Sequence, residues 1–276
     1  MTQKLIFLDI DGTLVRPGTN VPPPSALEAV RGARQRGHKV FLCTGRNYGM
    51  LSPLLQYGFD GLVGSAGGYI ECGGRVIYDC PMTEGQRERV LDVFARSGVF
   101  RTVESRDHAY TDEGLKDFLG RSAGLSGSSE LLRWQEQLES NLGIRPMSAY
   151  RGEPIYKVVF MSPGMERLQE PMAELEGEFD FCIQDGDAQG MINGELINRK
   201  FSKGRAVRRL SEYLNIPLED TVAFGDSMND LDMLETAGLG ICMGNGSEAL
   251  KRAAREVCPP VEKDGLYRAF TAHGLL

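Results

Sequence analysis

Apolar and polar positions alternate in blocks at both ends of the chain, and these blocks predict strands followed by helices. Continuous apolar runs are typical of strands that are buried on both faces of a parallel sheet. The runs are KLIFL (4–8), VFLC (40–43), LVG (62–64), TVAF (221–224) and LGIC (239–242). Strands that alternate with helices at both ends indicate an α/β fold, a single doubly wound, Rossmann-like parallel sheet.

Helices are predicted between these strands from their end signals. Ser25 and Glu28 have the spacing of a capping box, so a helix is expected from Ser25 to Arg36. Further helices are expected over residues 47–57, 202–214, 230–237 and 247–254. A hairpin that turns at Gly73-Gly74 is expected over residues 69–79.

The middle of the chain has a different pattern. Helical segments there mix with exposed-looking strands, which are FRTVES (100–105), IYKVVFM (155–161) and FDFCIQ (179–184). The stretch GLSGSSE (124–130) is typical of a mobile connection. We therefore expect a core domain formed by residues 1–81 and 199–276, and an inserted α+β domain over residues 82–198.

Charge and composition exclude several partners. The chain has 276 residues and a formal net charge of −7, whereas a nucleic-acid surface or a basic membrane-binding face would need an excess of positive charge. The N-terminal segment MTQKLIFLDIDGT is neither a signal peptide nor a membrane span, and no CxxC pair occurs among the six cysteines. We expect a cytoplasmic protein, monomer or homodimer, with reduced thiols and no membrane or nucleic-acid partner.

Polar residues follow two of the predicted strands. Asp9 and Asp11 come directly after the first strand, at the end where open α/β sheets bind ligands. A simple Asp-Gly turn is the alternative. Thr44-Gly45-Arg46 follows the second strand, where a hydroxyl group and backbone N–H groups suit a phosphate, although Thr-Gly also ends many strands.

Two more candidate stretches lie near the C-terminal end. Lys203 begins a predicted helix, where the helix dipole disfavours a cation, so it is either an anion ligand or a solvated surface lysine. The segment GDSMND (225–230) follows the strand TVAF and offers the oxygen ligands that Mg²⁺ prefers. Helix capping by Asp226 or Ser227 is the alternative, with Asp230 completing the cap.

Four short segments resemble, in this order, the four motifs of the haloacid dehalogenase (HAD) superfamily. They are DIDGT (9–13), TGR (44–46), KG (203–204) and GDSMND (225–230). The segments MGNG (243–246) and DG (264–265) are similar to segments of the Cof-type phosphatases, which carry a type IIB cap. The 159 positions from Thr44 to Lys203 (203 − 44) leave room for a large cap there, as in that group.

The resemblance implies a phosphoric monoester hydrolase that acts on a small phosphorylated metabolite, such as a sugar phosphate or a phosphorylated cofactor. It implies that Asp9 attacks phosphorus to form an aspartyl-phosphate and that Asp11 is the general acid and base. The implied cofactor is Mg²⁺, bound by Asp9, Asp226 and the backbone carbonyl of Asp11. The residues implied for the substrate phosphate are Ile10, Thr44, Gly45, Lys203 and Asn229, with Asp230 and Arg46 in support.

Two alternatives stay open, and one departure from the pattern affects substrate details. A phosphomutase would pass the phosphoryl group to a sugar, but the related mutases carry their cap after the first motif. A non-catalytic sensor of a phosphorylated metabolite would not need the acid Asp11. Cof-type chains often have Asn-Gly after the third strand, whereas this chain has Ala66-Gly67 and lacks that amide.

Overall fold

The computed structural model describes residues 2–115, 144–184 and 192–276, which divide into two compact units. The core unit comprises Met1–Arg46, Leu51–Asp79 and Phe201–Leu276, and the inserted unit comprises Asn47–Met50 and Cys80–Lys200. Within the described residues, no helix is both long and apolar enough to cross a membrane.

The core unit contains one sheet, whose described strands number eight. They are β1 (Leu5–Leu8), β2 (Lys39–Cys43), β3 (Gly61–Gly64), β4 (Tyr69–Cys72), β5 (Arg75–Asp79), β12 (Thr221–Gly225), β13 (Leu239–Cys242) and β14 (Glu256–Val257). Their order is β14-β13-β12-β1-β2-β3-β4-β5, and β4 is antiparallel to both of its neighbours, β3 and β5. The predicted hairpin at Gly73-Gly74 is therefore confirmed, and β1 lies between β2 and β12 at the centre of the parallel part.

Helices cover both faces of this sheet. They are α1 (Pro24–Gln35), α2 (Ser52–Leu55), α5 (Lys203–Leu214), α6 (Leu231–Thr236), α7 (Glu248–Ala253) and α8 (Gly265–Ala272). On one face, Phe270 of α8 packs against Phe224 of β12, with the ring centroids 5.4 Å apart. On the other face, Val207 and Leu210 of α5 share a buried cluster with Phe7 of β1. Because both faces are covered, the strands carry continuous apolar runs, and the predicted doubly wound α/β fold is confirmed.

Two local predictions are wrong for reasons visible in the chain. The helix predicted over residues 25–36 is present as Pro24–Gln35, but the predicted capping box is wrong, because Ser25 donates its hydroxyl hydrogen to Asp264 and does not cap the helix. The fixed φ of proline suits a first helical position, so Pro24 sets the start. The helix expected over residues 47–57 is a 3₁₀ turn, Tyr48–Leu51, followed by the four-residue α2.

The inserted unit has a mostly antiparallel sheet. Its described strands are β6 (Phe100–Ser105), β7 (Ala109–Thr111), β8 (Ile144–Pro146), β9 (Ile155–Ser162), β10 (Phe179–Gln184) and β11 (Ile192–Asn198), in the order β10-β11-β9-β6-β7-β8. Helices α3 (Glu84–Arg96) and α4 (Gln169–Leu175) add residues to a buried cluster with Val158 and Phe160 of β9. The three strands predicted here are confirmed in place, but β9 is buried along its whole length instead of exposed. The stretch at 124–130 lies outside the described residues.

Candidate active site

The carboxyl ends of three neighbouring strands bring the sequence motifs together. Asp9 follows β1, Thr44 follows β2 and Asp226 follows β12, and these strands are adjacent and parallel. The N–H of Asp9 donates to the carbonyl of Phe224 at 3.0 Å, which extends the pairing of β1 with β12 up to the site. Parallel strands end at the same edge of a sheet, so residues far apart in the chain become neighbours here.

Lys203 joins two of the acidic residues. Its Nζ lies 2.7 Å from Oδ1 of Asp9 and 2.6 Å from Oδ1 of Asp230, and the lysine is 3% exposed. Lys203 is the first residue of α5, whose N-cap is Ser202, so the start of the helix fixes where its side chain originates. A solvated surface lysine, the alternative from the sequence, does not fit this burial.

Asp230 serves both as a cap and as a partner of Lys203. Its Oδ2 accepts hydrogen bonds from the backbone N–H groups of Asp226 and Ser227, at 3.0 and 3.2 Å. Its Oδ1 contacts Lys203, and the residue is fully buried. The two oxygens of Asp230 therefore face different partners, so the residue both caps this turn and contacts Lys203, and its role in the site stays a prediction.

The carboxylates of Asp9, Asp226 and Asp230 form a cluster whose chemistry suits a divalent cation. One oxygen from each lies within 4.8 Å of the others. Oδ1 of Asp226 is buried without a hydrogen-bond partner. Asp9 and Asp230 contact the ammonium group of Lys203, and a buried carboxylate needs a compensating charge or hydrogen bond. The residues present therefore fit Mg²⁺, which prefers oxygen ligands.

The electrostatics of the cluster show the same excess of negative charge. Burial, with added repulsion from Asp230, raises the pKa of Asp9 to about 7 against the attraction of Lys203. Burial, with repulsion from Asp9 and Asp230, raises the pKa of Asp226 to about 9. Burial alone would lower the pKa of Lys203, but Asp230 and Asp9 outweigh that effect, so its pKa lies well above the ordinary value. Lys203 is therefore charged at neutral pH.

Gly12 lets the loop after β1 approach Asp226 closely. Its φ is +81°, and a Cβ atom at this position would lie 2.2 Å from Oδ2 of Asp226. The side chain of Asn245 donates to the carbonyl of Gly12 at 2.8 Å and accepts from the N–H of Val261 at 3.0 Å. We assigned Asn245 no role from the sequence, and the only available signal was its place in MGNG.

Asp11 lies outside the carboxylate cluster and pairs with Arg46. Nη2 and Nε of Arg46 donate to the two carboxylate oxygens of Asp11 at 2.6 and 2.9 Å. The hydroxyl oxygen of Thr44 accepts from the N–H of Arg46 at 3.2 Å, and both residues are buried. Arg46 is thus a neighbour of the predicted acid, which the sequence did not indicate.

The remaining predicted phosphate ligands lie on the three loops that follow β1, β2 and β12. Ile10 is buried, and its carbonyl accepts backbone bonds from the turn that follows it, including the N–H of Leu14 at 3.0 Å. Gly45 is half-buried between Thr44 and Arg46. The carbonyl oxygen of the Asn229 side chain accepts from the hydroxyl of Ser227 at 2.6 Å, and Asn229 is exposed.

The segment after β3 adopts a left-handed backbone without the usual asparagine. Ser65 and Ala66 have φ values of 48° and 57°. Gly67 follows at φ +107°, and a Cβ atom there would lie 2.4 Å from the carbonyl oxygen of Ser202. The segment therefore packs against the N-cap of the helix that carries Lys203. Left-handed conformations cost non-glycine residues about 1–2 kcal/mol.

Comparisons with known proteins show the family to which the chain belongs. The profile of the haloacid dehalogenase-like hydrolases matches residues 6–270, so the chain belongs to this family. Phosphatase YwpJ of Bacillus subtilis (strain 168) is 30% identical over 280 residues, which cover 95% of this chain and 97% of the relative. Pyridoxal phosphate phosphatase YbhA of Escherichia coli (strain K12) is 26% identical, and the match covers 99% of each chain.

A solved structure gives the architecture of the family. The HAD subclass IIB sugar phosphatase BT4131 superposes with a TM-score of 0.76 at 22% identity, over 99% of this chain and 100% of that chain. This likeness shows the shared fold. Together with the family match and the phosphatase relatives, it confirms the family recognised from the motifs, and the protein is a HAD-like phosphatase.

Proposed function

We propose that the protein hydrolyses monophosphate esters of small metabolites through a phosphorylated Asp9. The observation that carries this proposal is the 2.7 Å contact of Lys203 with Asp9 inside a buried cluster of three carboxylates. A carboxylate can approach an anionic phosphate only if cationic groups offset the repulsion between them. Lys203 supplies one such charge, and the unpartnered oxygen of Asp226 marks where another is needed.

The proposed reaction has two steps that involve the same two residues. First, the carboxylate of Asp9 attacks phosphorus, the bond from phosphorus to the ester oxygen breaks, and Asp11 gives its proton to the departing oxygen. Second, Asp11 takes a proton from water, the water oxygen attacks phosphorus, and the bond from phosphorus to Asp9 breaks. The products are an alcohol and inorganic phosphate, and both carboxyl groups return to their initial states.

The other residues of the site are proposed to bind charge. Asp9, Asp226 and the backbone carbonyl of Asp11 would hold Mg²⁺, whose charge would lower the repulsion between the carboxylates and the phosphate. The groups proposed to bind the transferring oxygens are the ammonium of Lys203, the hydroxyl of Thr44, the N–H groups of Ile10 and Gly45, and the side chain of Asn229. Asp230 supports Lys203, and Arg46 supports Asp11.

The substrate class is proposed from the relatives and from the organisation of the chain. The name of YbhA includes pyridoxal phosphate, so phosphorylated cofactors join sugar phosphates as the first candidates. We also propose that the inserted unit is the cap, which would contact the leaving group and exclude water during the reaction. Its position in the chain, between Thr44 and Lys203, supports this assignment.

Phosphate release from a panel of metabolite monophosphates, with Mg²⁺ or with EDTA, tests the proposal. We expect release that needs Mg²⁺ and that falls by about 10³-fold or more in Asp9→Asn. Asp220→Asn is the matched control, because Asp220 belongs to the same unit but pairs with Lys4. Acid quenching during turnover, followed by peptide mass spectrometry, should find one phosphoryl group on the peptide that contains Asp9.

Three results would contradict the proposal. If Asp9→Asn kept wild-type activity, Asp9 would not be the nucleophile. Formation of an isomeric sugar phosphate in place of inorganic phosphate would identify a mutase. Binding of phosphate esters without turnover by folded wild-type protein would identify a sensor.

A further inference from the structure

The structure assigns a positioning role to a chain of three side chains, Asn20–Arg46–Asp11, that begins in the loop between β1 and α1. Nε and Nη2 of Arg46 each donate to one carboxylate oxygen of Asp11, and Nη1 donates to Oδ1 of Asn20 at 2.6 Å. We propose that Arg46, fixed by Asn20, orients the carboxyl group of Asp11 toward the leaving oxygen. This inference rests on the function proposed above.

Hydrogen bonds hold both the backbone and the side chain of Arg46, as an orienting residue requires. Its N–H donates to the hydroxyl oxygen of Thr44, and its carbonyl accepts from the N–H of Ser65 at 2.8 Å. The side chain of Arg46 is 4% exposed to solvent, whereas the side chain of Asp11 is 19% exposed. The buried arginine therefore defines the direction of a carboxylate that still reaches solvent.

The geometry favours this role over direct phosphate binding by Arg46. A planar guanidinium group binds a carboxylate through two parallel hydrogen bonds, which fixes the orientation of both groups. Nε and Nη2 are used in this way, and Nη1 is used by Asn20. Lysine cannot reproduce the two parallel bonds because it is a point charge. Arg46→Lys should therefore keep the charge and lose the orientation.

Leaving-group dependence separates a positioning role from a general loss of structure. Protonation of the leaving oxygen matters most for an alkyl phosphate, whose alkoxide leaves poorly, and least for p-nitrophenyl phosphate, whose phenolate leaves readily. For Arg46→Lys we expect kcat/KM, which reports the transfer of the phosphoryl group to Asp9, to fall about 10- to 100-fold on an alkyl phosphate and less than about three-fold on p-nitrophenyl phosphate. The inhibition constant of inorganic phosphate should change by less than about two-fold.

Two further variants complete the experiment. Arg34→Lys is the matched control, because Arg34 also donates two hydrogen bonds to one aspartate, Asp60, and it should leave both kcat/KM values near wild type. Asn20→Ala removes only the side chain that holds Arg46. It should show the same selective loss of activity on the alkyl phosphate, by a smaller factor. It also keeps the test decisive if Arg46→Lys does not fold, as judged by thermal unfolding.

The outcomes distinguish this inference from the proposed function. Equal losses on both esters, or no loss in either variant, would overturn the positioning role and leave the phosphatase intact. A rise in the inhibition constant of phosphate that matches the loss in activity would make Arg46 a phosphate ligand instead. If wild-type protein turned over neither ester nor any member of the metabolite panel, the proposed function would fail, and this inference with it.

Discussion

Nζ of Lys203 lies 2.7 Å from Oδ1 of Asp9, although 194 positions separate the two residues in the chain. The contact depends on the position of Asp9 at the end of β1 and of Lys203 at the start of α5. The same ammonium group lies 2.6 Å from Asp230, so one cation serves two buried anions. The stability of the core unit should therefore be sensitive to this residue.

Replacement of Lys203 by methionine should destabilise the protein by about 3 kcal/mol, because it leaves Asp9 and Asp230 buried without their cation. Urea unfolding at neutral pH in EDTA measures the change. Lys251→Met is the control, since Lys251 pairs with the exposed Glu248 and should cost less than about 1 kcal/mol. Similar small losses in both variants would show that the buried contact contributes little.

Removal of a proposed metal ligand should change the response to Mg²⁺. We expect Mg²⁺ to raise the melting temperature of the wild type, because a ligand that binds only the folded state stabilises it. Asp226→Asn should lose more than half of that rise. Its stability in EDTA should equal or exceed that of the wild type, because a carboxyl group whose pKa is raised to about 9 by folding opposes folding at neutral pH. Differential scanning calorimetry with and without Mg²⁺ makes the comparison.

Glu262→Gln is the control for this experiment, because Glu262 is exposed and lies outside the carboxylate cluster. It should keep the full response to Mg²⁺. If Asp226→Asn kept the response as well, Asp226 would not be a ligand, and the proposed metal site would need other residues.

The left-handed backbone at Ala66 offers a stabilising substitution. Glycine tolerates positive φ, so Ala66→Gly should remove a strain of about 1–2 kcal/mol and lose part of this gain to the greater flexibility of the unfolded chain. We expect a net gain of about 0.5–1 kcal/mol in the free energy of unfolding. Chemical denaturation of the two proteins measures it.

Ala253→Gly provides the opposite case, because Ala253 is exposed at the end of α7 with a helical backbone. There glycine should cost up to about 1 kcal/mol. A loss of stability at both positions would show that the conformation at Ala66 carries no strain.

Much of the fold could be predicted because the sheet core imposes a simple pattern on the sequence. Strands such as β1 and β12 are covered on both faces, so their apolar runs are continuous. The meeting of Asp9 with Asp226 also followed from the sequence, because parallel strands end at one edge of the sheet. Lys203 joined them through the resemblance of the four motifs to a known family.

The unpredicted parts of the site depend on side-chain directions in loops. The pairing of Arg46 with Asp11, and its contact with Asn20, follow no periodicity in the sequence. Asn245 supports Gly12 from a loop 233 positions away, and only the folded chain brings them together. The interrupted helix at residues 48–55 was also missed, because apolar spacing alone does not distinguish a 3₁₀ turn from an α-helix.

At the opposite, amino-terminal edge of the sheet, the carboxylate of Asp60, just before β3, accepts hydrogen bonds from three residues. The donors are the N–H of Val40 at 3.0 Å, Nε and Nη2 of Arg34 at 2.9 and 3.4 Å, and Nζ of Lys39 at 3.3 Å. Burial alone would raise the pKa of Asp60, but the hydrogen bonds from Arg34 and Val40 outweigh it, so the pKa lies below the ordinary value. The folded protein therefore releases this proton more readily than the unfolded chain.

This difference predicts how stability depends on pH. A carboxylate whose pKa is lowered by folding adds stability above its unfolded pKa of about 4, and that stability is lost as the pH falls through the lower folded pKa. Asp60→Asn should cost about 1–2 kcal/mol near neutral pH, because the charged acceptor of the hydrogen bonds from Arg34, Lys39 and Val40 is gone. The difference in the free energy of unfolding between wild type and variant should become smaller below about pH 4. Urea unfolding over that pH range tests this, with Glu262→Gln as the exposed control, and a gap that stayed constant would mean that the charge on Asp60 contributes nothing.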